Sequence, residues 1–337
     1  MTNTTKTPTV AAVRRRLLSG DQGYIVGGLL LLIILVASVT LDSFGSTTNL
    51  LNAARSASTL GILAIGMTVV VISRGLDLSV VMTMGVTSAF VVQYVVNGNA
   101  ELAGLMWAFV IALMLGLVNG VLVAYVEIPA LFVTLATALL YLGIFRMAYL
   151  KTEIMTVPSE AHFMRWLGRD SVIGVPNPVW LFALSAGLVG WLLSRNLGRY
   201  LYALGDNPEA ARLAGLPVRP LTVFTYLVSA VAGFVGGISL VSVSGSVDLR
   251  TVAAGTLLYD VVAVVVIGGV SLAGGRGSIG GVVCAALLIG VIGNVMTLLN
   301  FDTIQQALAK AVIVMFAIVL DSVLHPRDEE TARVGEL

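Results

Sequence analysis

Few side chains in this sequence can do chemistry, and most of those stand among hydrocarbon. Asp77, in "SRGLDLSV", lies between two apolar runs beside Arg74 and Gly75. Asp260 interrupts another run, and Lys310 lies near one end of the last. A charge in such surroundings is costly and needs a partner or a wet path. Asp77 suits two roles. One is a cap for a helix beginning at Leu78. The other is part of a break beside a translocation path, where backbone groups face substrate or water. Gly75 and Ser79 accompany it as candidates for lining that path, as does Asp260, which also reads as a packed polar partner. Asn119, Asn294 and Gln93 read first as bonds between helices.

Other chemistries are missing. The three lysines are Lys6, Lys151 and Lys310, and none completes a Walker A loop, so the chain cannot hydrolyse ATP by a P-loop mechanism alone. His162 and His325 make no zinc pattern, and no metal or other cofactor is expected on this chain. "GRGSIG" (275–280) matches G-x-G-x-x-G literally. A dinucleotide site needs a strand before it, a helix after it and a carboxylate about 20 residues on. Transmembrane segments flank this one, so its glycines are expected to form a tight turn. The lone Cys284 permits no disulfide within the chain and reads as a packing residue.

The elements that must position these residues are set by composition. Of 337 residues, 58% are hydrophobic and 11% charged, against about a quarter charged in soluble domains. The expectation is an all-α, polytopic transmembrane bundle. Apolar runs able to cross about 30 Å of hydrocarbon lie near 24–41, 52–73, 78–96, 102–126, 128–149, 178–194, 221–243, 256–273, 279–299 and 304–324. The first comes after Arg14–Arg16 without a clear cleavage site and reads as an uncleaved span. Positive loops place Arg14–Arg16, Arg74, Arg195, Arg199, Arg212, Arg219, Arg276 and Arg327 inside. Arg146, Lys151, Arg165, Arg169, Arg250 and Lys310 fall outside. About ten spans, N-in and C-in, satisfy this bias. The domain layout is a tail at 1–20, a transmembrane bundle at 21–324 and a tail at 325–337. The 150–177 connection is expected outside as a short lid-like or interfacial element. "VVVISRGLDLS" (69–79) and "VVVIGGVSLAG" (264–274) hint at an internal repeat. The pairs Gly116/Gly120, Gly233/Gly237 and Gly277/Gly281 suggest packing seams. A net charge of +1 gives no reason to expect a nucleic-acid partner, whereas membrane lipid is implied.

One polar stretch stands apart. In "GDNPEAARLAGLPV" (205–218), Asn207 can cap a helix, Pro208 suits its first position and Glu209 complements its positive end. Ala210, Ala211, Leu213 and Ala214 offer a small apolar face, with Arg212 elsewhere. Gly215 and Pro217 stop the helix. This is a compact docking element of about two turns within the 195–220 loop.

"GILAIGMTVVVISRGLDLSV" (61–80), "ALGDNPEAARLAGLPV" (203–218) and "LYDVVAVVVIGGVSLAGGRGSIGG" (258–281) resemble the signature regions of ribose-type sugar ABC importer permeases. The resemblance covers roughly residues 20–324. Two positions depart from the family pattern: the usual Gly after "DLSV" is Val81, and the usual Glu before "LD" is replaced in "LYD" (258–260). The resemblance implies a permease of the bacterial cytoplasmic membrane, paired with a second copy or a paralogue. It implies a periplasmic or lipid-anchored substrate-binding protein and an ATPase subunit that binds MgATP. The ATPase would engage Gly205, Asn207, Pro208, Glu209, Ala210, Ala211, Arg212, Leu213 and Gly215. An ion-gradient-driven transporter is the alternative. Its candidate titratable groups are few: Asp77, Glu127, Asp260 and Lys310. An enzyme would need a convergent cluster, and a channel a filter or charge ring; neither is evident.

Overall fold

A computed structural model of the chain describes residues 22–324. Arg14–Arg16, His325, Arg327 and the two tails (1–20 and 325–337) lie outside the described residues. Fourteen helices are described: α1 (Gln22–Thr40), α2 (Thr47–Ile72), α3 (Val80–Val96), α4 (Glu101–Ala124), α5 (Ala130–Ala148), α6 (His162–Arg169), α7 (Asn177–Ser194), α8 (Asn196–Asp206), α9 (Pro208–Leu213), α10 (Val218–Ser244), α11 (Leu249–Ala253), α12 (Thr256–Ile267), α13 (Ile279–Leu298) and α14 (Thr303–Leu324). Seven of them, α1, α2, α4, α5, α7, α10 and α13, are long and apolar enough to cross a membrane. The chain is thus a helical, polytopic membrane protein.

Each of the ten expected apolar runs carries a helix, with one shortened. The run at 256–273 leaves the helix after Ile267. Twelve residues rise only about 18 Å, and the remainder is a non-helical segment through Ser278. The physical reason is the glycine pair: Gly269 adopts φ 82°, a left-handed stop, and Gly268 lets the Val282 backbone approach, since a Cβ there would lie 2.8 Å from it.

At the centre stand α2, buried without interruption from Ala57 to Ile72, and α10, which packs on α4, α2 and α3. Small residues bring the backbones together. A Cβ on Gly120 would reach within 2.8 Å of Val223 Cα, and one on Gly237 within 2.6 Å of the Met84 carbonyl. These contacts make the Gly116/Gly120 and Gly233/Gly237 pairs the seams of α4 with α10 and of α10 with α3. Gly281 meets the Gly268 carbonyl in the same way.

The end of the bundle remote from α9 carries the 150–177 connection. Strand β1 (Ile154–Thr156) pairs antiparallel with β4 (Ser246–Asp248), placing Met155 opposite Val247. A second ribbon, β2 (Ser171–Val172) with β3 (Val175–Pro176), turns through Ile173 and Gly174, both at positive φ, as a two-residue hairpin requires. Between them lies α6, whose Phe163 and Met164 N–H groups donate to the two Glu101 carboxylate oxygens at 2.8 Å. These short strands are additions to an otherwise helical fold.

Candidate functional site

The short helix α9 forms where its punctuation dictates. Asn207 is extended (φ −151°, ψ 101°), and its Oδ1 accepts from Ala210 N at 3.0 Å, satisfying a donor left free by the helix start. Pro208 occupies the first turn. Gly215 is left-handed (φ 80°), and Leu216 N donates back to the Ala211 carbonyl at 3.0 Å, closing the C-terminus. Ala211 is buried beneath the helix. The opposite face projects outward: Leu213 is 89% exposed, with Ala210 and Ala214 beside it. Arg212 and Glu209 form a loose pair at 3.7 Å. An exposed leucine thus stands beside Glu209 and Arg212 on a six-residue helix.

Gly205 plays a different part from its neighbours in the 205–218 stretch. It lies in the last turn of α8 and is buried, and a Cβ there would lie 1.8 Å from the Ile72 carbonyl and 2.5 Å from Gly275 N. Gly275 N itself donates to the Ile72 carbonyl at 2.9 Å, and Gly275 packs on Asp206. Tyr202 on α8 donates to the Gly277 carbonyl at 2.9 Å. The three sequence stretches 61–80, 203–218 and 258–281 therefore converge on one junction at the root of α9. The 275–280 glycines form the tight turn expected of them. Gly274, Gly275 and Gly277 have positive φ, and Ser278 Oγ caps α13 by accepting from Gly281 N.

Beside this junction Asp77 is 2% exposed and fully bonded. Its Oδ1 accepts from Ser79 N (2.9 Å) and Ser79 Oγ (2.6 Å), and its Oδ2 accepts from Ser229 Oγ on α10 at 2.6 Å. Asn119 on α4 donates to Ser79 Oγ at 2.7 Å, and Tyr141 on α5 lies 2.9 Å from Asn119 Oδ1. Thr134 and Tyr226 reach the Leu76 carbonyl at 3.3 and 3.5 Å, and a Cβ on Gly75 would meet Tyr226 Oη at 2.9 Å. The expected cap is thus displaced: α3 begins at Val80, not Leu78, with Ser79 at its N-cap. Asp77 holds the turn ahead of the helix and ties it to α10, α4 and α5. A buried carboxylate is tolerated because hydrogen bonds to it replace water.

Asp260 lies apart from this network. Lys310 Nζ donates to its Oδ2 at 2.8 Å, joining α12 to α14, so it has a packed polar partner. Glu127 is exposed in the loop after α4, where the Arg219 guanidinium, bonded at 2.9 Å, holds its carboxyl below the usual range. Asn294 bonds Asn49, and Gln93 bonds Asn97. Cys284 is half-buried, with Gly27 backbone near its Sγ.

Ser229, Tyr226, Thr134, Tyr202 and Arg55 were absent from the sequence expectations. Ser229 and Tyr226 lie in a Ser- and Gly-rich helix where no local pattern marks them. Arg55, on α2, donates to the Gly168 carbonyl of α6. A lone cation in an apolar run was a readable signal for it.

Comparison with known proteins assigns the fold a family. Residues 49–320 match the family described as "Branched-chain amino acid transport system / permease component". The chain is 33% identical over 299 residues to the ribose import permease protein RbsC of Haemophilus influenzae, covering 87% of this chain and 91% of that protein. It is 34% identical over 296 residues to RbsC of Escherichia coli K12, with the same coverages. To the L-arabinose transport system permease protein AraH of E. coli K12 it is 31% identical over 298 residues, covering 86% and 87%. No solved structure matches significantly. With a matched region spanning most of the chain and seven helices able to cross a membrane, this multi-pass protein of the bacterial cytoplasmic membrane belongs to that permease family, as a transport subunit rather than an enzyme.

Proposed function

We infer that the chain is the membrane subunit of an ATP-driven ABC importer for a sugar or sugar-like solute. The relatives named for ribose and arabinose import support that substrate class, and they favour this reading over an ion-gradient-driven transporter. In this reading the bundle of residues 21–324 has about ten spans, N-in and C-in, with cytoplasmic tails at 1–20 and 325–337. A substrate-binding protein delivers solute to the 150–177 side. A partner ATPase, carrying MgATP, docks on α9 within the 195–220 loop, and a second permease copy or paralogue completes the complex.

The observation that carries this reading is the seating of α9. Its exposed face offers Leu213, Ala210, Glu209 and Arg212, while Gly205 at its root touches the last residue of α2 and the non-helical segment that comes after α12. A push on α9 acts on α10, which begins two residues after Leu216, and through Ser229 on the Asp77 turn. Alternating access then proceeds by rigid elements moving against one another. Gly75, Asp77 and Ser79 flank the path at this hinge, and Asp260 flanks it on the α12 side.

The test is Glu209→Lys, which reverses the charge at the positive end of α9. Membrane insertion should be unchanged, while ATP hydrolysis by the assembled complex is uncoupled from uptake. Uptake at the parental rate with normal coupling would overturn the assignment of α9.

A further inference from the structure

A groove of about 540 Å³ runs along the flank of the α4–α10 seam, lined by Leu117, Val121 and Tyr125 on one side and Val223, Phe224 and Leu227 on the other. Its walls are almost wholly hydrocarbon, and Leu117 and Tyr125 are 40% and 50% exposed. Toward α9 the groove reaches Pro220. There it meets a cleft of about 370 Å³ that Arg212 and Arg219 line. Those two arginines also line a third cleft, of about 310 Å³, with Arg74 and Glu127. Arg219 lies over the Tyr125 ring, its guanidinium carbon 5.6 Å from the centroid, so a cation crowns the apolar trough. Three guanidiniums gather here against two exposed carboxylates, Glu127 and Glu209.

The occupant that fits this sequence of surfaces has a hydrocarbon tail and an anionic head. A soluble phosphate leaves the groove unexplained, and a neutral tail leaves unused the surplus of three guanidiniums over two carboxylates, Arg219 being paired with Glu127 at 2.9 Å and Arg212 loosely with Glu209 at 3.7 Å. We propose that the trough is a binding site for one anionic phospholipid, its acyl chain along α4 and α10 and its phosphate at Arg212 and Arg219. Basic pockets beside transmembrane helices recognise such head groups. Arg212 belongs to α9 and Arg219 to the first turn of α10, so a bound head group clamps the docking helix to the helix it drives. The consequence for coupling rests on the role and sidedness proposed above for α9; lipid recognition itself does not.

The experiment is native mass spectrometry of the intact permease from nanodiscs of equal phosphatidylglycerol and phosphatidylethanolamine. The parent should retain phosphatidylglycerol preferentially. Arg212→Gln and Arg219→Gln, both at exposed side chains, should each reduce that preference about fivefold. Val121→Trp, which fills the groove, should reduce retention of both lipids. Equal retention of the two lipids by the parent overturns the proposal. So does a preference unchanged in the double Arg variant, or a second permease copy held in place of lipid. Sidedness is read separately by labelling Leu213→Cys with a membrane-impermeant thiol reagent in intact cells, against the Cys284 background of the parent. Labelling from outside would overturn the orientation while leaving the nanodisc result standing.

Discussion

The chain leaves α2 and α12 through the same four residues, Val-Val-Val-Ile, and the two exits share one geometry. At the first, the N–H groups of Ser73, Arg74 and Gly75 donate to the carbonyls of Val69, Val71 and Val70. At the second, Gly268, Gly269 and Val270 donate to Val264, Val266 and Val265. Position six of each is left-handed, Arg74 at φ 69° and Gly269 at φ 82°. The resemblance between 69–79 and 264–274 is therefore structural at the level of the helix ends. Beyond those ends the two segments diverge. After Arg74 the turn is held by side chains, with Asp77 bound by Ser79 and Ser229. After Gly269 the segment is held by backbone proximity, with Gly274 against the Gly205 carbonyl and Gly275 bonded to Ile72. One cap has been equipped as a polar latch and the other as a close-packed socket.

The largest expected effect removes the contact that joins the two. Gly205→Val forces a side chain into the Ile72 carbonyl and Gly275 N, backbone atoms that cannot rotate away. Overpacking of this kind costs about 3 kcal/mol or more. Size-exclusion yield of detergent-extracted protein should collapse; a parental yield and melting temperature would mean the two exits are not braced through α8.

Next comes the latch alone. Asp77→Ala strips the partners from Ser79 and Ser229, and hydrogen bonds to a charged group contribute about 1.5–3 kcal/mol each. Thermal unfolding should fall clearly for Asp77→Ala and less for Asp77→Asn, which keeps one acceptor. Ser229→Ala should lie between parent and Asp77→Ala. If all three melt alike, the first exit does not depend on side-chain bonds and the contrast fails.

The smallest effects exchange the left-handed residues. Gly269→Ala should destabilise by about 1 kcal/mol, since a Cβ disfavours positive φ. Arg74→Gly should be neutral or slightly stabilising, because relief of that strain offsets the greater chain entropy of glycine. Melting shifts of the same sign in both variants would show that the caps are not equivalent.

Much of the fold and part of the candidate site could be read from composition and spacing. The apolar runs appear as helices at their expected places, because a run of hydrocarbon must satisfy its backbone internally wherever it lies. The α9 boundaries also derive from Asn207, Pro208 and Gly215, whose effects reach only a few residues along the chain. Asp77 stood out as a charge among hydrocarbon, but its partner did not. Ser229 lies 152 residues away in a helix containing several serines, and nothing local distinguishes the one that reaches a carboxylate. The 154–156 strand was equally hidden, since its partner at 246–248 lies beyond five helices, α6 to α10.

Physical effects that act over one or two turns are written in consecutive residues: burial of apolar runs, capping, and the left-handed stop at a glycine. They settled a helical membrane protein with one capped polar helix between its long hydrophobic ones. The junction beneath that helix is of another kind. Ile72, Gly205 and Gly275 are each unremarkable in their own stretch. They become one site only because the packing of α2, α8 and the α12–α13 segment brings three backbones together, with Gly275 N bonded to the Ile72 carbonyl and no room for a Cβ at Gly205. Glycine announces that a close approach is allowed, but not to what. Long-range packing supplies the partner.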